Sequence, residues 1–350
     1  MSRRLRIAIL AGGRSSEHEI SLASARSVRG ALDTDRYEVV TVAIGRDGRW
    51  AIEAAPPNQL EGLQEIEAGG SESVVETLPV PAESAPAALA AVDVVWPILH
   101  GPFGEDGTVQ GMLELADLPY VGPGVLASAL CMDKDRFKVV MQGSGVPVAR
   151  HVALREGDPL QNPFGYPVFV KPARLGSSVG ISQVREEAEL EPAVALAREH
   201  DEKVLVEEFV PGTEIEVGVL GNRRPIASLP GKIVSHFADW YDYASKYDDG
   251  GSDVLIPPTE LSQEQIERAQ ELAVRAFVAT ECEGMARCDL FVRETDGEIV
   301  MNELNTIPGF TETSVYARLF EASGIPYAEL LQRLIDLALE RHERRSRLRY

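Results

Sequence analysis

A chain of 350 residues, 44% hydrophobic and 25% charged, has the makeup of an ordinary globular protein and enough length for two or three domains. Its net charge of −21 argues against nucleic acid or an anionic membrane as partner, since either needs clustered Lys and Arg. Cys131, Cys282 and Cys288 form neither a paired framework nor a CxxC motif, which fits a reducing cytoplasm.

The start, MSRRLRIAIL, puts basic residues before an apolar run too short for a signal peptide. No apolar window approaches the ~18 residues of a membrane-spanning helix. LRIAIL reads as a buried strand, GGRSS as a turn, EHEISLASARSVRGAL as a helix and YEVVTVAI as the next strand. Residues 54–90, rich in Ala, Pro, Glu and Gly, read as a surface insertion, partly ordered at best. The apolar strand VDVVWPILH then leads through GPFGEDG to the helix TVQGMLELA. In the middle third come the helix KDRFKVVMQGSG, the strand YPVFVKPA, the loop RLGSSVG and the strand ISQVR. A helix, EAELEPAVALAREH, and the strand KVLVEEFV follow. Antiparallel-looking strands (EIEVGVLG, PIASLPGKIV) precede a polar aromatic loop, WYDYASKYDDGGSD, and a helix opened by a Ser262/Gln265 capping box. A hairpin and an amphipathic helix close the chain; the basic tail RHERRSRLRY suits a helix C-terminus better than a polyanion. This order predicts an open α/β domain followed by two α+β lobes.

The hairpin carries the sharpest chemical signal. A three-residue loop, Thr295-Asp296-Gly297, pairs Phe291 with Met301, Asp289 with Glu303 and Arg287 with Asn305. Asp289 and Glu303 then face each other with Cβ atoms about 5 Å apart, a like-charge pair that needs something positive beside it. Two carboxylates and the Asn305 amide oxygen are ligands of the kind Mg²⁺ takes beside substrate phosphates; a solvated hairpin face is the alternative. The glycine loop at 173–180 could wrap phosphate or simply turn, and Lys171 before it could hold phosphate or stand in solvent. Glu207 and Glu214 flank a Pro-Gly break, where one could take ribose hydroxyls or both could merely solubilise. Ser16 and Glu19 have capping-box spacing. His100 ends its strand where open α/β sheets bind ligands, or is structural. There is no GxxxxGK[ST] motif, so this is no P-loop enzyme, and the lack of GxGxxG after the first strand weakens a dehydrogenase reading.

Taken in order, GGRSSEHEIS, HGPFGEDG, MDK, VKPARLGSSVG, VEEFVPGTE, YDYASKY, RCDL and NELNTIPGFTETS resemble the D-alanine–D-alanine ligases of the ATP-grasp superfamily, over residues 12–314. The resemblance implies an open α/β substrate-binding domain at 1–131, including the 54–90 insertion, and a two-lobed ATP-grasp fold. Its central lobe would be 132–216, and its C-terminal lobe, with the metal site, 217–350. It further implies a cytoplasmic homodimer that uses ATP and two Mg²⁺ ions, or Mn²⁺, to join two D-alanines for peptidoglycan through a D-alanyl phosphate. By the same resemblance Asp289, Glu303 and Asn305 hold the metals, and Lys134 and Lys171 bind phosphates with Ser177 and Ser178 above them. Glu207 lies at the adenine, with Glu208, Phe209 and Val210 lining the base, and Glu214 at the ribose. Glu19 receives the ammonium of the first D-alanine, against the capping reading, and His100 lies nearby. Lys246 and Tyr247 come from a closing loop, Ser314 contacts the second D-alanine, and Arg287 with the Gly309 N–H forms an oxyanion hole. Glu19, Ser177 and Tyr247 are expected to form one hydrogen-bonded latch. A ligase making D-alanyl-D-lactate and a nucleotide-binding regulator without catalysis are the rival readings. Tyr247 speaks against the first, and the filled catalytic positions against the second.

Overall fold

The computed structural model describes residues 3–52, 78–80, 89, 91–177, 179–235 and 252–349, which build three sheets in chain order. In the first, β1 (Leu5–Gly12) lies between β2 (Tyr37–Ile44) and β5 (Val94–Ile98), all parallel, with α1 (His18–Ala31) crossing from β1 to β2. Ile7 to Ala11 of β1 are wholly buried, the continuous apolar run of a strand covered on both faces. β3 (Trp50–Ile52) and β4 (Leu78–Val80) add an antiparallel edge, so part of the expected insertion is strand and its Leu89 is core.

Helices α2 (Thr108–Leu115), α3 (Val125–Met132) and α4 (Lys134–Gly143) lead to the second sheet. Its strands β6 (His151–Leu154), β7 (Val168–Pro172), β8 (Ser182–Val184) and β9 (Val204–Glu208) are antiparallel in the order β6-β9-β7-β8, packed against α5 (Glu187–Arg198).

The third sheet runs β13-β12-β10-β14-β15 and holds the hairpin. Its strands are β10 (Gly212–Gly221), β11 (Ile226–Ala227), β12 (Gly231–Ser235), β13 (Ser252–Leu255), β14 (Gly284–Arg293) and β15 (Ile299–Asn305). The single strand β10 crosses position 216, where the sequence suggested a boundary. Ile266, Ala269, Leu272, Ala273, Ala276 and Phe277 form the buried stripe of α6 (Gln263–Ala279), which opens on the expected Ser262/Gln265 capping box.

The last helices, α7 (Val315–Ala322) and α8 (Tyr327–Ser346), return to the first sheet. Tyr316, Phe320, Leu330 and Leu334 share one core with Ile7, Ile9 and Trp96. Arg341 of α8 is buried over the Tyr120 ring and donates to the carbonyls of Tyr120 and Gly122.

The expected hairpin register holds at the Asp289–Glu303 end and fails at the tip. Asp289 pairs with Glu303 and Arg287 with Asn305, as expected, but Phe291 pairs with Val300, not Met301. The loop is one residue longer than expected, Arg293 N–H donating to Glu298 O, and a bulge at Asn302 restores the step. That bulge lets Met301 point into the core and Glu303 out of it, although residues two apart on a regular strand share a face.

Candidate active site

One face of the third sheet collects Glu214 and Glu216 from β10, Arg287 and Asp289 from β14, and Glu303 and Asn305 from β15. The opposite face supplies Ile215, Val217, Cys288, Leu290 and Leu304 to the core, so strand alternation, corrected in β15 by the bulge at Asn302, aims the polar set outward. The Arg287 guanidinium forks onto Asp289, with Nε–Oδ1 and Nη2–Oδ2 both 2.8 Å, and stands 3.1 Å from Glu216. Asn305 Nδ2 donates to Asp289 Oδ2 at 2.9 Å, which turns its amide oxygen away from that carboxylate. Lys134 Nζ stands 3.1 Å from Glu303. The like-charge strain of the Asp289–Glu303 pair is thus met here by Arg287 and Lys134. Among the described residues no three His, Cys, Asp or Glu side chains are arranged to hold a metal ion alone. A Mg²⁺ ion held by one or two carboxylates, water and substrate phosphates needs no such cage, and Asp289, Glu303 and Asn305 fit that oxygen set.

Lys134 opens α4, and its Nζ also donates to Leu175 O at 2.9 Å, beneath the glycine loop. A helix N-terminus with a lysine in its first turn is a favourable seat for an anion. Ser177, in that loop, takes a left-handed φ of 57°, and its buried Oγ has no hydrogen-bond partner among the described residues. Left-handed non-glycine backbone and buried hydroxyls without a protein partner concentrate in proteins where ligands bind.

Lys171 does not end in solvent: its Nζ donates to Glu207 Oε1 at 2.7 Å, while Lys138 Nζ stands 2.8 Å from Glu207 Oε2. Burial pushes the Glu207 carboxyl up, but Lys138 and then Lys171 outweigh it and hold the pKa at about 2. Both oxygens expected at a base are therefore occupied by lysines. Glu208 likewise turns to Arg150, accepting from its N–H at 2.7 Å and its Nε at 2.6 Å, so its backbone alone remains to line a base. Phe209 is 38% exposed with its ring 6.0 Å from that of Phe169, an apolar surface at the same edge.

The first sheet contributes at the carboxyl ends of its strands. His100 is buried; its Nδ1 donates to Ile307 O at 3.0 Å, and its Nε2 is left as an acceptor without a partner among the described residues. Burial lowers its pKa, so the imidazole is neutral. Glu105 accepts from Gly101 N–H at 2.7 Å and from Ile307 N–H at 3.1 Å. Burial, and next the Glu17 carboxylate, push Glu105 up to about 8. His100 and Glu105 thus grip both sides of the Ile307 peptide, between Asn305 and Gly309. A Cβ at Gly309 would stand 3.4 Å from Ser314 Oγ, so those two expected residues are neighbours.

Glu19 is not brought to this cleft. Its side chain is 64% exposed, with Arg46 at 3.4 Å, and the helix it starts carries no side-chain cap. Glu17 is there instead: with Arg14, Ser15, Gly101, Gly176 and Val179 it lines a cavity of about 340 Å³ between the first sheet and the glycine loop. The expected latch therefore loses Glu19; of its other members Ser177 lies in the glycine loop with no hydrogen bond to a described residue, and Tyr247, like Lys246 and Ser178, lies outside the described residues. Reading the sequence missed Glu17, Glu105, Lys138 and Glu216. Lys138 left a signal, one helical turn after Lys134, and so did Glu216, two residues along a strand from Glu214.

Residues 6–123 match the family described as D-ala D-ala ligase N-terminus, and residues 140–336 the one described as D-ala D-ala ligase C-terminus. The D-alanine–D-alanine ligase of Geobacillus thermodenitrificans is 41% identical, over 99% of this chain and 98% of its own. The VanG D-Ala:D-Ser ligase of Enterococcus faecalis superposes with a TM-score of 0.84 at 35% identity, covering 96% of this chain and 100% of that one. The D-alanine–D-alanine ligase of Bacillus anthracis, complexed with ATP, superposes with a TM-score of 0.75 at 26% identity, covering 97% and 99%.

Proposed function

The chain belongs to the D-alanine–D-alanine ligase family, and from that premise we propose how the residues of its cleft divide the work. The reaction is the ATP-dependent joining of two D-alanines for peptidoglycan synthesis. A carboxylate oxygen of the first D-alanine attacks the γ-phosphorus, and the bond to ADP breaks. The amine of the second attacks the resulting D-alanyl phosphate, a C–N bond forms, and phosphate leaves.

In our reading Glu17, not Glu19, holds the ammonium of the first D-alanine, since its carboxylate faces the cavity beside Gly101 and Gly176. Lys134 and Lys171 take the phosphates, with Ser177 and the backbone of its loop above them. Asp289, Glu303 and Asn305 would hold Mg²⁺, which supplies charge neutralisation between the phosphates. Arg287, released from Asp289 but kept by Glu216, and the Gly309 N–H would receive the developing oxyanion. Lys246 and Tyr247 remain our choice for the closing loop, Ser314 for the second D-alanine, and Phe209, Val210 and Glu214 for the nucleoside. The arrangement into 1–131, 132–216 and 217–350 stays a proposal, as do the cytoplasm, supported by three buried free thiols, and the homodimer.

The observation that carries this reading is the cross-strand Asp289–Glu303 pair facing Lys134 and Arg287. Phosphate release with D-alanine, D-serine and D-lactate in parallel tests it, together with Glu303→Gln. The expected products are ADP and phosphate, with turnover in the variant down by about 100-fold or more for want of transition-state charge stabilisation. AMP and pyrophosphate, or near-normal turnover in the variant, would refute it. The likeness to the D-Ala:D-Ser ligase makes D-serine the acceptor to watch; preference for it over D-alanine would favour that second reading.

A further inference from the structure

Lys138 has no part in the roles above, yet it is fully buried at their centre. One helical turn after Lys134, it leaves the same face of α4. Its Nζ stands 2.8 Å from Glu207 Oε2 and donates to the carbonyl of Asn302, the bulge residue of β15, at 3.3 Å. Lys171 takes the other Glu207 oxygen at 2.7 Å. One carboxylate is therefore shared by two ammonium groups, and only Lys171 retains any exposure, 7% of its side chain against none for Lys138.

We propose that Lys138 is a positioning residue for nucleotide binding: it is the permanent counter-ion of Glu207, and so frees Lys171 to turn to a phosphate oxygen. The inference rests on the reading that Lys171 binds phosphate. A buried carboxylate that loses its only cation is strongly unfavourable, whereas one that loses the second of two stays neutralised. Two lysines and one glutamate leave a single positive charge over, which an anionic phosphate can absorb. Burial opposes the charge on Lys138, and Glu207 is the first of the groups that restore it, so each secures the other. Because Lys138 also holds Asn302, the nucleotide edge at β9 and the metal strand β15 hang from one anchor.

ATP binding measured by calorimetry without D-alanine tests the idea, beside the KM for D-alanine. Lys138→Met should weaken ATP binding about tenfold or more, because Lys171 is then retained by an otherwise stranded Glu207. The KM for D-alanine should hold within about twofold, since uniform ground-state contacts to it are untouched. In Lys138→Met/Glu207→Gln no charge is left to strand, and ATP should bind about fivefold or more tighter than to the single variant. Should Lys138→Met fail to fold, a double variant that folds and binds ATP still supports the proposal, and one that does neither overturns it. ATP binding by Lys138→Met at the wild-type level, or a double variant no better than the single, would also overturn it. Undiminished ATP binding by Lys171→Met would instead remove the phosphate reading beneath it.

Discussion

Glu17 and Glu19 differ by two positions at the start of one helix. Glu17 is the non-helical residue just before α1 and Glu19 lies in its first turn, so one carboxylate faces the cleft and the other points to Arg46. Nothing in SSEHEIS says which, because both neighbours of His18 are glutamates and the spacing to Ser16 favours the wrong one. Glu17→Ala should raise the KM for the first D-alanine by about tenfold or more, the loss of a charge-assisted contact. Glu19→Ala should change it by less than about twofold, since an exposed ion pair is worth only about 0–1 kcal/mol. Initial rates at saturating ATP decide between them, and equal effects would return Glu19 to the site. Glu105 adds a pH signature. An acid whose pKa rises from 4.5 to about 8 on folding favours the folded state while protonated. That contribution is whole below pH 4.5 and is lost as pH climbs through about 8, with Glu17 and Arg287 as the facing charged groups. Wild type should therefore lose melting temperature against Glu105→Gln across pH 5–8, a window set by those two values. Parallel melting curves would mean that Glu105 is already ionised in the folded protein.

At the scale of elements, much was legible where period and punctuation agreed: α6 from its apolar stripe and capping box, β1 from its apolar run, the hairpin from its Asp-Gly turn. The short helices α3 and α7 escaped, the first because VLASALCM is apolar all round and shows no stripe. The Asp289–Glu303 pairing came out right for an incomplete reason. A turn one residue longer than expected and an extra residue at Asn302 cancel by the time β15 reaches Glu303. Bulges leave little trace in a sequence, because they are fixed by what each side of the strand packs against. Here Met301 belongs to a core and Glu303 to the cleft, and only an inserted residue lets both be satisfied. Deleting Asn302 should force either Met301 out or Glu303 in, at a cost of about 3 kcal/mol or more and the loss of turnover. Asn302→Ala keeps the bulge and the carbonyl that Lys138 holds, and should be nearly normal in both respects. Melting curves and phosphate release on the two variants check this; a deletion as stable as wild type would show that the bulge is dispensable.

At the scale of the whole molecule, the chain closes on itself. The stretch after Asn305 read as the end of a C-terminal lobe, since an apolar stripe on a helix does not name its partner. In the structure Phe310, Tyr316, Phe320, Leu330 and Leu334 complete the core beneath Ile7, Ile9 and Trp96. Tyr327 Oη donates to Phe310 O at 2.8 Å and lies 3.1 Å from Ser27 Oγ, and Arg341 holds the Tyr120 and Gly122 carbonyls. The sheet β6-β9-β7-β8 is different: Leu154, Val168, Val170, Val184, Val204 and Val206 form a core with α5 that includes nothing from the first sheet. Cooperative units of unfolding follow shared cores, so these two regions should open separately. Native-state hydrogen exchange is expected to give amides of β1 and α8 one common, high opening free energy, although some 300 residues separate them. Amides of β7 and β9 should exchange through a cheaper opening, and ATP should raise their protection by the free energy of its binding, about 2.7 kcal/mol at a hundredfold excess over Kd. Lys171 and Glu207 lie on those two strands, so under our proposal that Lys171 takes a phosphate the ligand's stabilisation should enter the molecule there first. If α8 instead exchanged with β7 and β9, or well before β1, the shared core of the chain's two ends would not be a cooperative unit. The C-terminal helices would then be an appendage to the first domain, not part of its fold.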